Sequence, residues 1–130
     1  MLIDSHCHLD RLDLSEREGG LEGVIADAQA RGISQLLTVA VDLESSKSLT
    51  ELTAKYDHIY SSVGVHPLQD EELPLPTVEQ ITDLAKLPKV IAVGETGLDN
   101  FYSADSYEWQ HESFTRHLIA SKEVEKPLIV

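Results

Sequence analysis

Val90-Ile91-Ala92-Val93-Gly94-Glu95-Thr96-Gly97-Leu98-Asp99 sets an apolar run directly against a carboxylate flanked by glycines, and this junction decides the reading of the chain. The apolar run suits a strand covered on both faces, as in a parallel sheet. Similar runs recur at Leu2-Ile3, Leu36 to Val41, Ile59 to Val65 and Leu128-Ile129-Val130. Helical patterns separate them, which is the rhythm of βα units.

Leu21, Val24, Ile25 and Ala28 lie at helical spacing, with Gly32 where that helix would end. Leu49, Leu52 and Tyr56 form a second stripe, and Val78, Ile81 and Ala85 a third. Thr77 with Gln80 three residues on predicts a capping box for the third, and Pro88 stops it. The spacing predicts a longer helix from about Asp105 to Glu123, capped by Asp105, with Tyr107, Phe114 and Leu118 inward and Glu112, Arg116 and Lys122 outward. Four βα units and the start of a fifth strand make about half of a TIM (β/α)8 barrel, whose usual length is roughly 250 residues. Residues 1–130 thus read as the amino-terminal half of a single domain. A doubly wound α/β sheet is the competing topology, but neither G-x-G-x-x-G nor a P-loop sequence is present.

Ten Lys and Arg against 23 Asp and Glu give a formal net charge of −13, which excludes a broad basic face for gripping duplex phosphates. The single cysteine, Cys7, cannot form an internal disulfide, which fits a reducing, cytoplasmic setting. No basic segment followed by an apolar stretch opens the chain, and no apolar run approaches bilayer length, so neither a signal peptide nor a membrane span is expected.

Polar residues fall repeatedly at the carboxyl ends of the strand-like runs: His6 and His8, Asp42, His66 and Glu95. In parallel α/β folds that end is the functional rim. In His6-Cys7-His8, strand alternation sends both imidazoles to one side and Cys7 to the other, so the pair can hold one cation. Two ordinary surface histidines would give the same motif, and the strand-end position favours the metal role. Cys7 reads as a small buried residue rather than a ligand or nucleophile. Asp4 either orients a ligating imidazole or caps a turn. Glu95 is the type of carboxylate that bridges divalent ions. His66, followed by Pro67, can hold a phosphate oxygen or move a proton, with a structural role as the alternative. Asp42 is better read as a solvated loop residue or a helix cap. His58, His111 and His117 lie off the rim and are assigned no chemistry, and Trp109 and Tyr107 read as core aromatics rather than base-stacking platforms.

Ile3-Asp4-Ser5-His6-Cys7-His8-Leu9-Asp10, Gly64-Val65-His66-Pro67 and Gly94-Glu95-Thr96-Gly97-Leu98-Asp99 occur in order and spacing as in TatD-family metal-dependent hydrolases, which the whole chain resembles. The resemblance implies a (β/α)8 barrel with two divalent metal ions (Mg, Mn or Zn) that hydrolyses phosphodiester bonds of DNA with ion-activated water, often 3′ to 5′ on single strands. It implies His6, His8 and Glu95 as metal ligands, with Glu95 shared by both ions, and two further histidines and an aspartate from later strands. Glu95 and His66 are then the catalytic candidates, and His66 and Asp99 the substrate-binding ones. Asn100, where an aromatic is more usual, and the polar Ser121 to Lys126 stretch depart from the family pattern without touching the three ligands.

Pro127-Leu128-Ile129-Val130 resembles the strand leading to the first of the later ligands, so 130 residues alone are expected to be an incomplete nuclease. Two rival readings remain at this stage: a half-barrel that binds or pairs through exposed strand edges, including with itself, and a metal-dependent hydrolase of another ester or amide.

Overall fold

The computed structural model describes residues 1–69, 73–102 and 106–130. Strands β1 (Leu2–Cys7), β2 (Ile33–Thr38), β3 (Ile59–Val63) and β4 (Val90–Val93) alternate with helices α1 (Gly20–Ala30), α2 (Leu43–Thr53) and α3 (Val78–Ala85), and α4 (Tyr107–Val124) follows β4. All strand pairs are parallel, in the order β1-β2-β3-β4. Each strand therefore lies beside its sequence neighbour, as in a barrel wall. The doubly wound alternative requires the chain to reverse direction across the first strand, and it does not. After α4 the chain returns beside β4: the Val93 N–H donates to the Pro127 carbonyl at 2.9 Å and the Ile129 N–H to the Val93 carbonyl at 2.8 Å. The expected fifth strand thus starts in place.

Helices α2 and α3 begin where side chains satisfy free N–H groups. Asp42 caps α2 by accepting from the Ser45 N–H, and Thr77 and Gln80 form a reciprocal box at α3. Inward side chains then meet in two clusters. Val63, Ile81, Ala85, Val90, Val93 and Ala120 fill the β3–β4 side, and Leu9, Ile25, Leu36 and Ile59 the β1–β2 side. β1 lies at the sheet edge and leaves Leu2 and Ile3 exposed.

Close approach of the strand ends is set by two glycines. A Cβ on Gly64 would stand 2.5 Å from the Gly94 Cα, and one on Gly94 would stand 2.4 Å from the Ile129 carbonyl oxygen. The glycine before Glu95 thus admits a neighbouring backbone.

Two sequence expectations need correction. Tyr56 lies beyond the end of α2, although it still packs on the second cluster. In α4 the buried face is Gln110, Ser113, His117 and Ala120, while Tyr107 and Leu118 are exposed. Two of its polar residues are satisfied internally: Gln110 accepts from the Asp99 N–H and donates to the Asp99 carbonyl, and His117 is bonded at both ring nitrogens, whereas the buried Ser113 hydroxyl has no partner among the described residues. Phe114 and Trp109 are half-buried, Trp109 donating its indole N–H to the Leu73 carbonyl. The expected cap Asp105 lies outside the described residues.

Candidate metal centre

His6 lies one residue before the end of β1 and His8 directly after it, and alternation puts their rings on one side, edge to face, with centroids 5.3 Å apart. Cys7 points the other way and donates its thiol to the Leu37 carbonyl. Burial, and then the carboxylates of Asp4 and Asp10, push that thiol up to about 12. It is thereby kept protonated and unavailable as ligand or nucleophile. Asp4 accepts from the His6 N–H, the turn-capping role of the two considered.

Glu95 closes the group from the far side of the sheet. Its Oε2 lies 3.4 Å from His6 Nε2 and 3.9 Å from His8 Nε2, while Oε1 lies 3.8 Å from His66 Nε2. One donor atom from each of His6, His8 and Glu95 falls within 4.8 Å of the others, a spacing at which a single divalent ion can be shared.

The segment after β2 holds this arrangement through three successive buried carbonyls. Val39 accepts from His8 Nδ1 at 2.8 Å, Ala40 from the Glu95 N–H at 3.0 Å, and Val41 from the His66 N–H at 2.8 Å. A carbonyl only accepts, so His8 carries its proton on Nδ1 and turns the Nε2 lone pair toward Glu95, the tautomer a metal needs. His66 is set oppositely. Its Nδ1 accepts from the Leu68 N–H at 3.0 Å, so the neutral ring presents Nε2–H, a donor rather than a ligand.

Ser62, fully buried in β3, ties the same layer together by accepting from the Ala40 N–H and donating to the Gly94 carbonyl. The Val65 N–H, one residue before His66, donates to His117 Nε2 at 2.9 Å. Sequence reasoning passed over Ser62 and assigned His117 no chemistry. For Ser62 the available indication was a hydroxyl inside an apolar strand, and for His117 a histidine at helical spacing with Gln110 and Ser113.

Asp99 is engaged in a different way from the clustered residues. Its Oδ1 accepts from the N–H groups of Phe101 and Tyr102, fixing the loop that carries these two exposed aromatics. Asp42, as its sequence position suggested, serves as a cap.

The family described as TatD related DNase matches residues 3–130 by its sequence profile. The chain belongs to the TatD family. Its residues are 40% identical over 129 positions to YcfH of Escherichia coli K12, an uncharacterised metal-dependent hydrolase, covering 99% of this chain and 48% of that protein. They are 35% identical over 107 positions to the 3′-5′ ssDNA/RNA exonuclease TatD of Citrobacter rodentium, covering 82% of this chain and 41% of that one. The crystal structure of the TatD homologue YjjV from Escherichia coli K12 superimposes with a TM-score of 0.84 at 29% identity, over 98% of this chain and 49% of that one. The parallel sheet described above is therefore one half of a TatD-type (β/α)8 barrel, and the chain spans about half the length of the curated relatives it matches. Among the described residues, no helix is long and apolar enough to cross a membrane.

Proposed function

We propose that this TatD half-barrel, the amino-terminal half of one domain, belongs to a metal-dependent hydrolase that cleaves phosphodiester bonds of single-stranded DNA from the 3′ end. The observation that carries the reading is the meeting of His6, His8 and Glu95 at one rim, with His8 held in the ligating tautomer. The exonuclease named in Citrobacter rodentium supports the substrate class.

In this reading His6 and His8 would hold one divalent ion, with Glu95 as a ligand common to it and a second. Bound cations of this kind lower the pKa of water and offset charge on phosphoryl oxygens. His66 presents Nε2–H to a phosphoryl oxygen, an orientation fixed by the Leu68 N–H on its other nitrogen. Asp99 acts on substrate position through the loop it holds. A net charge of −13 is compatible with an anionic substrate because the cations supply the local positive field. A cytoplasmic setting belongs to the same reading, since a single cysteine fits a reducing compartment.

The test is digestion of a 5′-labelled single strand by the metal-loaded complete hydrolase to which this half-barrel belongs. The expected result is a ladder shortening one nucleotide at a time from the 3′ end, abolished by chelation and by the His6→Ala/His8→Ala double variant. Cleavage that survives both treatments contradicts the reading. Turnover of another ester or amide, with the DNA left intact, overturns the substrate assignment alone.

A further inference from the structure

Beside the ligand cluster lies a cleft of about 350 Å³ lined by His8, Arg11, Val41, His66, Gln69 and Glu95. Among the described residues lining it, Arg11 is the one permanent cation. It ends the short 3-10 turn Leu9–Arg11 that starts directly after His8, so its backbone is fixed three residues from a candidate ligand. Its Nη2 lies 3.8 Å from Asp42 Oδ2, and the other oxygen of that carboxylate caps α2. Asp42 thus aims the guanidinium from a rigid point.

An ion pair this long and this exposed stabilises the fold little, so it does not account for a cation at the mouth of the cleft. It also engages few of the five N–H donors that a guanidinium carries. A planar fork of donors matches two oxygens of a phosphate. In a chain with a net charge of −13, a cation beside the ligand cluster is also where an anion would be drawn.

We propose that Arg11 forms an anion subsite that binds the strand phosphate next to the one at the ligand cluster. The identification of the anion as a strand phosphate rests on the proposed function above. The subsite itself rests on the cleft and on the Arg11 guanidinium that lines it. Arg11 is a binding residue in this proposal and takes no part in bond cleavage.

The experiment measures binding separately from hydrolysis. A fluorescent ten-nucleotide single strand is titrated with metal-free protein in chelator, from 20 to 200 mM salt, and anisotropy is read. Wild-type affinity is expected to fall with salt. Arg11→Gln should bind about five- to tenfold more weakly at the lowest salt and lower the slope of log K against log salt by about 0.7, the contribution of one single-strand phosphate contact. Arg11→Lys should restore most of the slope and part of the affinity, since it keeps the charge without the fork. Equal affinity and slope for wild type and Arg11→Gln overturn the proposal, as does wild-type binding that is absent or indifferent to salt. Failure of the metal-loaded complete hydrolase to digest the strand, with Arg11-dependent binding intact, overturns the hydrolytic reading and leaves the subsite standing.

Discussion

Replacing His117 by leucine should destabilise the protein by about 1–3 kcal/mol, the usual cost of leaving a buried donor unpaired. The ring is fully buried, its Nε2 accepts the N–H of Val65, itself buried, and its Nδ1–H donates to the Ser113 carbonyl at 2.7 Å. Leucine keeps much of the volume and neither bond. For a chain of this length that loss lowers Tm by roughly 5–10 °C. His117→Gln, whose carbonyl oxygen can stand near the position of Nε2, should recover part of it. Burial, opposed weakly by the bond to Ser113, holds the ring below the ordinary 6.5. The unfolded chain therefore takes up the proton first. The contribution of the neutral ring is complete above about pH 6.5 and is lost as pH falls from there through the folded-state value. Thermal melts from pH 8 to pH 5 should show wild type losing stability across that window and His117→Leu following a flatter line. Parallel curves for the two proteins, or a leucine variant within about 0.5 kcal/mol of wild type, would refute the reasoning.

Two further outcomes follow from the site's supports. Ser62→Ala removes the group that joins the Ala40 N–H to the Gly94 carbonyl, and should cost about 1–3 kcal/mol in denaturant melts while weakening divalent-ion affinity, because Glu95 sits next to Gly94. Cys7, with its thiol pushed up to about 12, should react with iodoacetamide at pH 8 at least about a hundredfold more slowly in the folded protein than in the urea-unfolded one. Equal rates would show that the thiol is neither buried nor held neutral.

The strands were legible because apolar runs with abrupt polar ends leave few alternatives, and the order β1-β2-β3-β4 follows from short βα connections. The rim histidines and Glu95 were legible for the same reason: a strand end fixes where its next side chain goes. Two features were hidden. The run Leu36 to Val41 reads as one strand, yet the ladder covers Ile33–Thr38 and the remaining Val39, Ala40 and Val41 spend their carbonyls on His8, Glu95 and His66. Backbone acceptors leave no mark in a side-chain pattern. The inner face of α4 was misread because periodicity counts apolar residues, whereas Gln110 and His117 are buried with their polar groups paired, Gln110 to the Asp99 backbone and His117 to the Val65 N–H and the Ser113 carbonyl.

The central claim, that His6, His8 and Glu95 form one metal centre, is tested most directly by calorimetric titration of Mn²⁺ or Zn²⁺ into metal-free protein. Wild type should bind at a saturable site, and both His6→Ala/His8→Ala and Glu95→Gln should weaken that site by at least about tenfold; in chelator Glu95→Gln should melt like wild type, while the double variant should lose about 1–3 kcal/mol because the buried Val39 carbonyl loses its bond from His8 Nδ1. Wild-type affinity and stoichiometry in both variants would contradict the account.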